Sequence, residues 1–304
     1  MNKRYIIKLT AAYSALALMS VACSDSFLNE DYIVKDSTAS FETSDGIDAL
    51  VIGTYQKLKF KFNYIWGIEC YNMGTDEFTD ANNTMPAWNC YSSTLNSSET
   101  GANQPVWDNY YSAIEPANII IANVPQYYEQ SSSTYNNRLG EGYFFRAYAY
   151  FELVKQFGGV PLKLAPSTSA ETYFTRASEE ECYAQIIADF EQAYKLLPES
   201  PEDNQTGRLT KYAAAHFLAK AHLFRASELY DSWNAAYKDA DLNAVISYGD
   251  EVVAAHPLCN DFVELWDYQQ ANGANESVSE VVLAAQFTDD ATTRGRFGNK
   301  MHLY

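Results

Sequence analysis

The chain is short of positive charge. Its 304 residues carry 21 Lys+Arg against 39 Asp+Glu, a formal net charge of −18. Polyanions are held by basic patches that neutralise phosphates, so a nucleic-acid partner is excluded. Docking on anionic lipid by charge alone is excluded for the same reason. Histidine is scarce as well: His216, His222, His256 and His302 are the full set. His216 and His222 lie six apart on a helix-like stretch and do not share a face. There is no His-Glu-x-x-His, no Gly-x-Ser-x-Gly and no Walker loop. With 39 acids, a carboxylate pair at glycosidase spacing is almost unavoidable and carries little information. The chain therefore reads as a non-enzyme with no cofactor. Cysteine is too sparse for a disulfide scaffold, and no pair has zinc-site spacing. Cys70 and Cys90 share one loop-like stretch, where an oxidising compartment permits pairing. Cys182 and Cys259 fall on helix-like stretches and read as buried free thiols. Asp76-Glu77 with Asp80 reads as a solvated acidic loop rather than a Ca²⁺ site. Beyond the N-terminus no apolar run approaches the roughly 20 residues of a membrane-spanning helix.

What is present begins at that N-terminus. Lys3 and Arg4 precede a short, mostly apolar core, Ile6 to Met19, and Ser20-Val21-Ala22-Cys23 follows. A charged start, a short apolar core and small residues before a cut describe a signal peptide over residues 1–22. The cysteine after the small residue makes this look like a lipobox, although Ser20 stands where such boxes usually carry Leu. Cys23 is then acylated and becomes the first mature residue, tethering the chain to a membrane. Each buried methylene adds about 0.8 kcal/mol of membrane affinity, and two or more acyl chains hold stably. Loss of the three basic residues in 1–22 takes the net charge from −18 to −21. Residues 23–43 read as a tether.

Six stretches carry helical period. The first runs from about Ser44, a plausible N-cap, to Phe60, with Ile47, Val51, Thr54, Tyr55 and Leu58 on one stripe. The second covers Pro105 to Val124, and Pro116 should kink or interrupt it. The third covers Arg138 to Phe157. Its aromatics fall on more than one face, as in a helix covered on most sides, and Gly158, Gly159 and Pro161 end it. The fourth, Ser178 to Leu197, opens on a capping box between Ser178 and Glu181 and stops at Pro198. The fifth, Thr210 to about Leu229, aligns Ala214, Leu218, Ala221 and Arg225. The sixth, Asp241 to Ala255, puts Val245, Tyr248, Val252 and Val253 inside. Arg146 sits in an otherwise aromatic helix and must be paired, with Glu141 or Glu152 in reach. Ser279 to Phe287 reads as a strand. A Thr/Asp/Gly-rich stretch then runs to Tyr304 without a closing element, as in a fragment of a longer protein.

The expected fold is mainly α. It consists of tetratricopeptide-like helical pairs stacked as an α-solenoid, with long irregular loops and little β. Each pair has an apolar face that it cannot bury alone. Ala147 and Ala215 are 68 residues apart, twice the 34-residue tetratricopeptide period.

The long stretch 61–104 holds seven Asn and five acidic residues among its rings. A loop of this length is often functional. It either packs its rings onto the body, the first expectation, or offers them to a ligand. The second arrangement suits sugars, whose apolar faces lie on aromatic rings while their hydroxyls pair with Asn and Asp. The candidate ligand residues are Trp66, Asp76, Trp88, Asn89 and Tyr91. Trp233, at the end of the fifth helix, reads as a cap or a partner-facing ring.

The stretch 140–162, Gly-Glu-Gly-Tyr-Phe-Phe-Arg-Ala-Tyr-Ala-Tyr-Phe-Glu-Leu-Val-Lys-Gln-Phe-Gly-Gly-Val-Pro-Leu, closely resembles the signature helix of SusD/RagB-type nutrient-binding outer-membrane lipoproteins. Cys23-Ser-Asp-Ser-Phe-Leu28, Trp107 to Asn118, Arg176 to Tyr183, Ile187 to Ala193, Gly207 to Ala214 and Ser279 to Phe287 match in order. Pro116 departs from the pattern. The resemblance implies a surface-exposed, lipid-anchored helical lid over a SusC-like TonB-dependent transporter. Such a lid binds oligosaccharide, or sometimes peptide, nutrients for uptake without cleaving them. It also implies that residues 44–304 are a SusD-like helical domain cut before the family's C-terminal half. No ligand residue carries over by motif. A lipid-anchored scaffold that binds only protein, and a glycoside hydrolase, are the alternatives.

Overall fold

The computed structural model describes residues 38–62, 67, 70–79, 86–96, 98, 101, 103–170, 172–265 and 278–286. The chain divides into a short unit, Met1–Ser40, and a body, Phe41–Tyr304. Cys23 and the signal segment lie outside the described residues. The described part is mainly helical, as the sequence implies, and contains no strand. Seven α-helices are described: α1 (Ser44–Tyr55), α2 (Pro86–Asn89), α3 (Asn103–Tyr127), α4 (Ser133–Phe157), α5 (Glu179–Leu196), α6 (Lys211–Arg225) and α7 (Lys238–Ala255). Consecutive long helices from α3 to α7 pack on one another, and α1 lies on α3 and α4. Each apolar stripe is thus buried by a neighbour in the chain, the arrangement expected of stacked helical pairs.

Local chemistry sets the helix ends. Thr43, not Ser44, caps α1, its Oγ1 accepting from Gly46 N at 3.1 Å. After Tyr55 the chain tightens into a 3-10 turn over Gln56–Phe62, with Leu58 buried. Ser132 caps α4 and Thr210 caps α6. At α5 both halves of the capping box form: Glu181 N donates to Ser178 Oγ at 3.2 Å, and Ser178 N donates to Glu181 Oε2 at 2.7 Å. Two orphan donors are satisfied reciprocally.

Helix α4 is the axis of the core. Phe144, Phe145, Ala147, Tyr150, Phe151 and Leu153 are all buried, which covers every side of the helix. Glycine makes the close packing possible. A Cβ on Gly142 would stand 2.8 Å from Ile120 Cγ2 of α3, and one on Gly140 would stand 2.9 Å from Leu197 Cγ. The Arg146 charge is neutralised, but by neither expected partner. Asp189 of α5 takes its Nε and Nη2 at 2.8 Å each, while Asn118 Oδ1 and Leu164 O accept from Nη1. Glu141 instead joins Tyr55, Arg138 and Arg208, and Glu152 joins Lys155.

Several expectations are corrected. α3 runs unbroken through Pro116 and Pro125. The backbone bond forgone at Pro116 is outweighed by the burial of Ala113, Ile114, Ala117 and Ile120 around it. Val253 is exposed, because α7 is covered by α6 on one side and Val252 takes the inward position. Residues 281–286, expected as part of a strand, form none among the described residues, and the chain bends at Val282. Cys70 and Cys90 are not joined in a disulfide, and one is buried and the other exposed. Cys182 is buried as expected, whereas Cys259 is half-buried in the turn after α7. Trp233 is half-buried and packs on Tyr183 and Tyr230.

Candidate functional site

An open cleft of about 750 Å³ lies between the 70–104 stretch and the C-terminal end of α4. The 70–104 stretch contributes Tyr71, Met73, Trp88 and Tyr91 to its lining, and the helices contribute Trp107 of α3 and Phe157 of α4. The 70–104 wall is built from unusual backbone. Tyr91 has φ of 50° and Gly74 has φ of 81°. A left-handed Tyr is uncommon and needs outside support. Here the Tyr91 hydroxyl donates to Gly74 O at 2.7 Å, leaving the residue 70% exposed. Trp88 leans on the core, and its indole N–H is buried without a partner among the described residues.

The opposite wall follows from the end of α4. Gly158 takes φ of 68° and closes the helix, its N–H donating to Val154 O at 3.0 Å. A Cβ on Gly159 would stand 2.1 Å from Ala177 O, so only glycine lets the strap before α5 lie this close. The strap brings Arg176 over Trp107, 5.8 Å from the ring centre, and Arg176 Nη1 donates to Phe157 O and Gly159 O at 2.9 and 2.8 Å. Trp107 and Phe157 meet edge to face at 5.2 Å. Asn96, Asn103, Gln104 and Gln156 supply amides around the rings. Burial, then the charge of Glu152, push the Tyr71 phenol far above its ordinary value, so it stays neutral.

Of the candidates read from sequence, Trp88 and Tyr91 meet in this cleft. Asn89 turns to Thr79, whose hydroxyl donates to Asn89 Oδ1 at 3.1 Å, and Asp76 is exposed outside the lining. Trp66 lies outside the described residues. Trp107, Gln156 and Arg176 were not among the sequence candidates. Trp107 carried only a helical-core signal, which did not announce a second role as a cleft wall. Flat rings facing neutral amides can hold a ligand with apolar faces and hydroxyls. Among the described residues no carboxylate lines the cleft, so the paired acids that glycoside cleavage uses are not placed there. No group of three or more His, Cys, Asp or Glu among the described residues could hold a metal ion.

Against known families, a model of SusD-like proteins described as "starch-binding associating with outer membrane" matches residues 26–223. The chain belongs to the SusD-like family. That family is associated with the outer membrane. Among curated relatives, SusD-like protein P38 of Formosa agariphila is 26% identical over 223 residues, covering 72% of this chain and 41% of its own. A solved structure with xylogluco-oligosaccharide matches this SusD-like chain at a TM-score of 0.63 and 23% identity, covering 80% of it and 46% of that chain. A laminarin-binding SusD-like protein matches at a TM-score of 0.62 and 20% identity, covering 76% and 50%. At these identities the solved structures show the fold. The SusD-like chain spans about half the length, or less, of the proteins it matches.

Proposed function

We propose that this chain binds oligosaccharide nutrients at the outer-membrane surface, without cleaving them, and passes them to a SusC-like TonB-dependent transporter. The observation that carries the reading is the cleft, whose lining combines the rings of Trp88, Tyr91, Trp107 and Phe157 with neutral amides. Rings of this kind bury the apolar face of a pyranose while the amides pair with its hydroxyls. The printed ligands of two structural relatives, laminarin and xylogluco-oligosaccharide, support the same class. Acylated Cys23 would hold the chain at the membrane while the helical body stands in water.

Calorimetry with starch-, laminarin- and xyloglucan-derived oligosaccharides, on the chain lacking residues 1–23, tests the reading. At least one should bind. Tyr91→Ala should weaken that ligand tenfold or more, about 1.4 kcal/mol, with an unchanged circular dichroism spectrum. Trp88→Ala should weaken it as well. Absence of heat with every glycan, alongside tight binding to a barrel partner, would favour a protein-binding scaffold. Appearance of shortened glycan would overturn the non-enzymatic part.

A further inference from the structure

Among the described residues that line the cleft, Arg176 carries the one charge. It is exposed, yet its guanidinium is held in place. Nη1 donates to Phe157 O at 2.9 Å and to Gly159 O at 2.8 Å, which uses both of its N–H groups. These carbonyls stand at the end of α4, where a basic side chain often satisfies the last acceptors of a helix. The cation also lies 5.8 Å from the centre of the Trp107 ring. Capping accounts for Nη1 alone. Nε and Nη2 have no hydrogen-bond partner among the described residues, and Arg176 makes no ion pair there.

The core shows what that remaining edge does when a carboxylate meets it. Arg146 sends Nε and Nη2 to the two oxygens of Asp189 at 2.8 Å each. This side-on fork matches a planar carboxylate in spacing and direction. Arg176 holds the same edge with no acid to fill it, because the described lining includes no Asp or Glu. A guanidinium already ordered through Nη1 loses less rotamer freedom on pairing than a free surface arginine does.

Resting on the reading that this cleft holds oligosaccharide, we propose that its preferred ligand carries a uronic acid, whose carboxylate takes the Nε–Nη2 edge of Arg176 while neighbouring sugar rings stack on the aromatic lining. One cation calls for one carboxylate set among neutral sugars. A run of uronates would meet the net charge of −18 on the chain, which repels it everywhere beyond the fork. A sulfate ester also offers oxyanions, but it is a weak base and accepts hydrogen bonds less well.

The test is calorimetry with matched ligands. Xylo-, gluco- and galacto-oligosaccharides each carry a single uronate, as the free carboxylate in one set and as its methyl ester in a second. A third set carries a sulfate ester instead. The methyl ester keeps the sugar rings and removes the charge. In at least one series the free acid should bind about tenfold more tightly than its ester, and more tightly than the sulfate. Arg176→Lys keeps a cation for the α4 carbonyls but presents no fork. It should cut the acid-over-ester ratio to about twofold or less, with an unchanged circular dichroism spectrum. An arginine that only caps α4 would leave that ratio as it was. Equal binding of acid and ester in every series overturns the proposal and leaves oligosaccharide binding standing. A preference that survives in both Arg176→Lys and Arg176→Gln overturns it as well, as does tighter binding of the sulfate. Absence of heat with every ligand, the uncharged esters included, removes the glycan reading of the cleft along with it.

Discussion

A guanidinium placed in an aromatic helix must find compensation within reach. Arg146 does so through the Asp189 fork, Asn118 and the Leu164 carbonyl. Arg146→Met would leave Asp189 buried and unpaired, a loss of about 3–5 kcal/mol. Urea denaturation should show that loss, and Arg146→Met with Asp189→Leu should recover most of it. Sequence reasoning identified the need for a partner but named Glu141 and Glu152, which lie on the same helix. The actual acid sits 43 residues away, on a helix whose approach no local pattern reveals. Glu181 offers a pH readout. The backbone and hydroxyl hydrogen bonds of Ser178 hold its carboxyl below the ordinary value. A lowered folded pKa gives stability that is present above the unfolded value and is lost as pH falls through the folded one. Ser178→Ala should therefore lower Tm by about 2–4 °C at neutral pH and lessen the fall in Tm on acidification, followed by scanning calorimetry from pH 7 to pH 3.

Helices α4 and α7 show opposite uses of glycine. Gly142 faces α3 at a distance that a methyl group cannot enter, whereas Gly249 of α7 has open space around it. Gly142→Ala should cost about 1–3 kcal/mol by prying α4 from α3. Gly249→Ala should stabilise by about 0.5–1 kcal/mol through helix propensity alone. Chemical denaturation of the two variants separates packing from propensity. The long helices were legible because their stripes and stops are local, as with Ser178, Glu181 and Pro198 around α5. The path of α3 was less so. Proline's penalty is local too, but the burial that outweighs it, around Ile114 and Ile120, comes from α1 and α4. For the same reason Val252 and Val253 could not be sorted before the neighbours of α7 were known.

At the level of the whole molecule, the cleft was half legible. Trp88 and Tyr91 stood out as rings in a polar loop. Trp107 did not, because a tryptophan in a helical stripe looks like core until the glycine turn after α4 opens a space beside it. The anchor remains a prediction of the sequence: a radioactive fatty acid should label the expressed chain, and Cys23→Ala should abolish the label. The cleft's lining also has a bearing on how a ligand would be retained. Its described residues include no acid, and its arginine is tied to two carbonyls. Salt screens charge pairs and leaves ring faces and neutral amides nearly untouched. If the proposed reading holds, affinity for an uncharged oligosaccharide should change little as salt is raised, which titrations at low and high ionic strength would check.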